Sequence, residues 1–391
     1  MIDLGAMPLT AAFRCVERAD AQQATYPLEI GFCPDCALVQ VVETVQPTLI
    51  FNADYPYFSS YAGYWLEHAR ELALTMIKRL NLDENSLAVE VGSNDGYLLR
   101  VLDEKGIGVM GIDPAGGPAA VARELGVPTI TACFDTALAE QLSRQGKHAD
   151  IIFALNVVAH VADLHDLFGA IRRLLKPTGR VVIEVAYVRD MVERLEFDTI
   201  YHEHLCYYSL TSLADLVARH DLSILHAERL TTHGGSLRVI AAPKGAADDS
   251  VSALLQEEAD LGLTEAGYYQ QFADRVVVLG QQLLKLITDL KARGATLAGY
   301  GAAAKGVILL NYLGLDCDTI DYIADRNVHK QQRYLPGTHI PVCEPARIMK
   351  DKPDYVIVLA WNLADDIRTE LAEYHAGGGR LIIPIPKPTI V

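Results

Sequence analysis

From Leu87 onward, short apolar runs alternate with stretches in which apolar side chains recur every three or four positions. The runs "LAVEVG", "GVMGID", "ADIIFALNVV" and "GRVVIEVA" are too continuous for half-exposed strands and predict strands buried on both faces. The intervening stretches predict helices. Strand and helix in alternation point to an α/β unit, a parallel sheet covered on both sides. Ahead of it, "YAGYWLEHARELALTMIKRL" has the spacing of a long amphipathic helix. Behind it, "RLTTHGGSLRVIAAPKG" returns to strand character, and "AADDS" breaks it. Residues 250 to 293 predict one or two long helices, after which "ATLAGYGAAAKGVILLNYLG", "TIDYIADRN", "DYVIVLAWN" and "RLIIPIP" predict a second, separate α/β unit. The first 58 residues are rich in turns. The expected division is therefore a small N-terminal module over 1–58, a central domain over 59–249, and a helical linker with a C-terminal α/β domain over 250–391.

Composition narrows what such a chain can do. The formal net charge is −16. A chain this acidic has no general grip on nucleic acid, whose phosphates require a basic face. No run approaches the roughly 20 apolar residues of a membrane helix, and "MIDLGAMPLTAAF" lacks the basic start and apolar run of a secretion signal. Seven scattered cysteines are an odd number and suggest reduced thiols and a cytoplasmic setting.

The first strand ends in "VEVGSNDGYLL", with Glu90, Gly92 and Gly96 at the turn into a helix, and "GIDPA" puts Asp113 at the end of the second strand. A carboxylate there can accept hydrogen bonds from both hydroxyls of a ribose. Dinucleotide sites use a G-x-G-x-x-G turn because a pyrophosphate rests on the helix N-terminus. The form here is E-x-G-x-x-x-G. Acidic groups suit a cationic cofactor, which favours S-adenosylmethionine, a sulfonium that also carries an ammonium. Asn156 and His160, in "ALNVVAHVADLHD", fall at the carboxyl edge where such sheets bind ligands. In the second α/β unit, "GYGAAAKG" is a glycine turn that opens a helix and carries Lys305. It reads either as a phosphate cradle or as a structural turn with a solvated lysine. An NAD site there would have only Asp325 as its ribose acid. Cys33 and Cys36 form one C-x-x-C knuckle of the zinc-ribbon kind, but a structural zinc needs four ligands and no second pair exists. A half-site, with no metal held, is the expectation.

The stretch "FDTIYHEHLCYYS", residues Phe197 to Ser209, carries two histidines, a glutamate and four aromatics. Tyr207 and Tyr208 read equally well as core. His202, Glu203 and His204 do not, because three adjacent ionisable groups are costly to bury without purpose.

With "YPLEIGFCPDCALVQ", "VEVGSNDGYLL", "FDTIYHEHLCYYSL", "HGGSLRV", "GYGAAAKG" and "LPGTHIPV" in this order, the chain resembles the sugar-nucleotide C-methyltransferases that act on 4-keto deoxyhexoses. The resemblance covers essentially the whole length. It implies a zinc-binding N-terminal module, a central S-adenosylmethionine domain of Rossmann-like form, and a C-terminal α/β domain that helps hold the nucleotide sugar. That family opens with a first C-x-x-C just upstream of the segment that starts here at Met1. The resemblance also implies roles: His204 as general base, Glu203 and Tyr201 as its neighbours, and His160 with Tyr55 or Tyr57 lining the same site. His202, Tyr55, Tyr57 and Lys305 are then expected to contact the substrate. The implied reaction adds a methyl group beside a ketone, at carbon 3 by analogy. An O- or N-methyltransferase on the same fold, or a non-catalytic protein that binds nucleotide sugar, would share much of this sequence.

Overall fold

A computed structural model of the protein describes residues 1–15, 23–50, 58–61 and 63–391. Its centre is a seven-stranded sheet in the order Ser223–Leu230, Ser236–Ala242, Leu175–Ala186, Ala149–Leu155, Leu87–Val91, Gly108–Ile112, Thr129–Ile130. Ser236–Ala242 runs antiparallel to both of its neighbours; the other pairs are parallel. The chain lays down Leu87–Val91 first, builds outward to one side, then crosses to Ala149–Leu155 on the other. The crevice at that switch point, beyond the carboxyl ends of the strands, is where such sheets bind ligands. Two apolar cores cover the faces. One includes Phe168, Ile183 and Val239, the other Leu72, Leu98, Phe153 and Trp65 on the helix Gly63–Leu80.

The C-terminal unit is a second sheet, of six strands, with Leu297–Tyr300 at its middle and all pairs parallel except the last, Arg380–Ile383 with Thr389–Ile390. Both α/β units are Rossmann-like, as the apolar runs predict. The helices before the second sheet are two, Asp249–Leu261 and Ala266–Ala292. Gly262 separates them, in the left-handed conformation at the end of the first. The longer helix buries Tyr269, Phe272, Val276, Leu279, Leu283, Ile287 and Leu290, a stripe at steps of three and four.

Two features depart from the sequence reading. The strand character placed from Arg229 onward belongs to a hairpin whose first strand begins at Ser223, hidden because His226 and Glu228 interrupt the apolar pattern. The N-terminal sheet has four antiparallel strands, Ile2–Pro8, Thr25–Phe32, Val39–Val41 and Cys206–Tyr207. The fourth comes from the histidine-rich stretch itself. Leu28, Ile30, Val39 and Val41 of this sheet share one core with Phe197, Ile200 and Tyr207, with the long helix, and with Leu309 and Ile357 of the C-terminal unit. The short strand Arg14–Cys15 also pairs with Arg333–Tyr334.

Candidate active site

The cavity at the centre of these parts has a volume of about 800 Å³. Thr10 and Phe13 line it from the connection that follows the strand Ile2–Pro8, and Asn156, His160 and Met191 from the central domain. Tyr201, Glu203 and His204 come from the histidine-rich stretch, and Lys305 and Asn362 from the C-terminal unit. Tyr55 and Tyr57 lie outside the described residues.

His204 is held at both ring nitrogens. Its Nδ1 lies 3.0 Å from the Thr199 carbonyl, which can only accept, so Nδ1 carries the hydrogen. Nε2 then presents a lone pair, which accepts from the Tyr201 hydroxyl at 2.9 Å. The two rings lie against each other, with centroids 4.0 Å apart. Burial pushes the His204 pKa well below the ordinary imidazole value, and the nearby charges of His160 and Lys305 push the same way. His160 packs 5.0 Å from His204, centroid to centroid, and its Nδ1 bonds the Glu203 carbonyl. Burial lowers its pKa too. Glu203 accepts from the Thr10 hydroxyl at 2.6 Å, and burial raises its pKa. The backbone ties this stretch to the turn after Ala149–Leu155 and to the N-terminal sheet. Leu205 N–H donates to Ala159 and its carbonyl accepts from Val41 N–H, while Tyr207 lies opposite Val39.

His202 does not face the cavity. Its side chain is buried and its Nε2 donates to the Pro27 carbonyl at 3.1 Å, which ties the stretch to the N-terminal sheet. The expectation that it contacts substrate is corrected accordingly. In an irregular segment neighbouring side chains diverge, and the Pro27 carbonyl takes this one.

Lys305 opens the helix Ala304–Leu313. A Cβ at Gly306 would meet Leu359 at 2.9 Å, so this glycine lets the helix press onto the strand-end segment beneath. Lys305 Nζ donates to the His233 carbonyl at 3.1 Å and to Asn362 Oδ1 at 3.3 Å, and lies 4.4 Å from the Trp361 ring. Burial pulls its pKa down against the raising influence of Asp198 and Glu196. These two acids escaped the sequence reading, because acids alternating with Leu195 and Phe197 in "RLEFDTI" look like ordinary solvated charges. Burial raises Glu196 to about 8 and Asp198 to about 7. His233, another unforeseen lining residue, is lowered to about 4 by burial first and then by Lys305. Its "THGGSL" segment was the one available signal.

The glycine turn adjoins the cavity without lining it. Gly92 has φ +69°, and a Cβ there would meet Val157 at 2.9 Å. Asn156, the residue before that valine, does line the cavity. Asp113 accepts from Asn94 N–H at 2.8 Å and Ala115 N–H at 2.7 Å, one bond to each oxygen. A carboxylate has about four lone-pair sites, so acceptor capacity remains for a ligand. Glu90 is fully buried and neither of its oxygens has a hydrogen-bond partner, although Tyr97 lies near enough to favour its charged form. Burial raises it well above the carboxylate range, and the charges of Asp113 and Asp95 add to the shift. Asp95 Oδ1 and Ser93 Oγ are likewise enclosed without partners. These enclosed acceptors, with few donors among them, fit a ligand bringing positive charge and hydroxyl donors, as S-adenosylmethionine does.

Cys33 and Cys36 are part-exposed free thiols, and among the described residues no cluster of three or more metal-ligating side chains forms. No helix among them is long and apolar enough to cross a membrane.

Residues 1–51 match a family described as "Putative zinc binding domain", residues 64–227 one described as "Methyltransferase domain", and residues 231–386 one described as "C-methyltransferase C-terminal domain". The C-methyltransferase NovU of Streptomyces niveus is 35% identical over 394 residues, spanning 100% of this chain and 94% of its own. A ubiquinone biosynthesis O-methyltransferase of Bartonella tribocorum is 30% identical over 101 residues, 26% of this chain and 41% of its own. Among solved structures, the PH0226 protein of Pyrococcus horikoshii OT3 superposes at 18% identity and a TM-score of 0.40, over 51% of this chain and 97% of its own.

Proposed function

The chain belongs to the C-methyltransferase family, and on that premise we propose that it methylates the carbon beside the ketone, carbon 3, of a nucleotide-linked 4-keto deoxyhexose. The observation that carries this reading is His204, a neutral imidazole with its lone pair on Nε2, in a cavity beside an acidic glycine turn. An O- or N-methyl acceptor is already a nucleophile, or becomes one by losing a proton from oxygen or nitrogen. A carbon acceptor needs a base for a C–H bond and a donor for the oxygen that gathers the charge.

S-adenosylmethionine, when bound, supplies a methyl group activated by a sulfonium sulfur. Asp113 would take its ribose hydroxyls, while Glu90 and Asn156 would complete its surroundings, with Gly92 and Gly96 shaping the turn. His204 Nε2 removes the proton from the carbon beside the ketone, displacing the Tyr201 hydroxyl as its partner. The C–H electron pair becomes a C=C bond and the carbonyl pair moves to oxygen. Nδ1–H, directed at the Thr199 carbonyl, steadies the imidazolium that results. Tyr201 and Glu203 orient the base and the sugar, and His160 braces the segment through the Glu203 carbonyl.

Incubation in deuterated water tests the reading. Replacing His204 by Asn should lower methyl transfer about 10²–10⁴-fold, the usual loss for a positioned general base. Solvent exchange at the carbon beside the ketone should fall in parallel, because both require the same enolate. A product that carries the new methyl group on oxygen or nitrogen would overturn the reading. Exchange that survives in the variant while methylation stops would make His204 a positioning group.

A further inference from the structure

We propose that Lys305 holds the ketone oxygen of the substrate as it becomes an enolate, and so is a catalytic residue instead of the phosphate ligand that its glycine turn suggests. The inference rests on the C-methylation reading above.

The surroundings of the ammonium make the argument. Lys305 lines the same cavity as His204, and its charge is felt at the His204 ring. Near enough to act on its charge are Glu196, which also lines the cavity, and Asp198, 3% and 0% exposed, each with one carboxyl oxygen that has no hydrogen-bond partner. Arg194, at 4.0 Å from Glu196 Oε1, is beyond hydrogen-bond reach. Beside them Lys305 is a single buried cation, a match in charge for one oxyanion but not for a diphosphate, which carries two or more negative charges. A single developing oxyanion suits it better. Lys330, whose Nζ donates to the neutral Ala302 carbonyl, also lines the cavity on a different segment of the C-terminal unit, near Arg326, which is paired with Glu370, and it leaves the phosphates an alternative.

The hydrogen bonding of Nζ agrees. Its two partners, the His233 carbonyl and Asn362 Oδ1, are neutral. They position the ammonium without cancelling its charge, and they leave one of its three N–H groups for a ligand. Trp361 packs beneath it and at the same time donates to Asp198 Oδ2 at 2.7 Å, so the aromatic platform and this acid are locked together.

The chemistry also requires such a group. Burial makes His204 a weak base, and a weak base draws a proton from carbon only where the charge left behind is met by a preorganised donor. As the proton passes to Nε2 and the carbonyl pair shifts to oxygen, a Lys305 N–H at that oxygen strengthens, because the ammonium then faces an anion instead of a neutral carbonyl. When the carbon is methylated, the pair returns to the C=O bond and the lysine keeps its proton.

The probe is dTDP-4-keto-6-deoxyglucose in deuterated water with S-adenosylhomocysteine present, exchange being followed by proton NMR. Lys305→Met should slow exchange at saturating probe by about 10²–10³-fold, the usual loss for one oxyanion donor. The probe concentration for half-maximal rate and the affinity for S-adenosylhomocysteine should both stay within about threefold. Lys305→Gln, which keeps a donor for the His233 carbonyl but no charge, should behave alike and decides the matter if Met unfolds the chain. A variant with native maximal exchange but a tenfold weaker half-saturation would make Lys305 a phosphate ligand and overturn the assignment. Native values of both would overturn it too. If the native protein itself exchanges no faster than buffer, the C-methylation reading fails first and this inference falls with it.

Discussion

His204 sits where an imidazole is hardest to charge. Burial, the His160 ring and the Lys305 ammonium all favour its neutral form. The sign of the resulting pH dependence follows directly. A lowered pKa means that protonation, which removes the base, sets in only well below the ordinary value of about 6.5. As the proposed base, His204 should therefore add no acid limb near 6.5 to the maximal rate of methyl transfer; Glu196 and Asp198 titrate above it, near 8 and 7, so a stopped assay should show the rate level once the pH is below their range. An inflection there would return the base to a solvent-accessible histidine. At this level the sequence was informative where chemistry is concentrated. His204, Glu203, Tyr201 and His160 lie in runs whose polar density is costly inside a fold, and they meet in one cavity. His202, two positions from His204, turns to the N-terminal sheet, and no residue count reveals which way an irregular segment points. Glu196 and Asp198 were invisible for the opposite reason, being ordinary single acids until burial gives them unusual protonation.

The helix Leu210–Ala218, which follows the histidine-rich stretch, begins with a Ser209–Ser212 capping box and a second cap from far along the chain. Glu258, fully buried on the helix Asp249–Leu261, accepts from Leu210 N–H, Thr211 N–H, the Thr211 hydroxyl and the Tyr187 hydroxyl. Removing that carboxylate strands donors that water cannot reach. Glu258→Ala should cost about 3 kcal/mol, since bonds to a charged acceptor are worth about 1.5–3 each and the lost ones are coupled. Urea unfolding measures it, and a loss under about 1 kcal/mol would show that the helix start is satisfied without it. Element type was legible wherever one period dominates, as in the buried parallel strands and the stripe of the long helix. The hairpin strand Ser223–Leu230 was not, because its salt-linked edge carries His226, Glu228 and Arg229 among the apolar positions. The pairing of Cys206–Tyr207 with Val39–Val41 was equally hidden: a two-residue strand has no period to read.

The N-terminal sheet and the C-terminal unit share one core, while the central sheet keeps two of its own. The cavity lies where these bodies meet, and the glycine turn belongs to the central sheet alone. Two ligands should therefore leave different footprints in amide hydrogen exchange. S-adenosylhomocysteine should protect residues around 90–96 and 113–115. A nucleotide sugar, the substrate proposed above, should slow exchange together in segments around 8–13, 199–205 and 302–305, with a gain that grows with the ligand's excess over its Kd. Protection from the sugar confined to the central domain would contradict a cavity shared by all three parts. The α/β character of both units was readable from alternation, but their meeting was not, since no local pattern encodes which surfaces pack. The pairing of Cys206–Tyr207 with Val39–Val41, and of Arg14–Cys15 with Arg333–Tyr334, bears on how the chain acquires its shape. Contacts so distant in sequence carry a high loop-closure cost and form late. During synthesis the N-terminal sheet must wait with three strands until residue 207 has emerged, and its second tie waits for residue 334. The nascent module thus holds an open strand edge, a surface prone to pairing with other chains. It is closed by the same backbone that carries His204, so protection from misassembly and completion of the cavity come in one event.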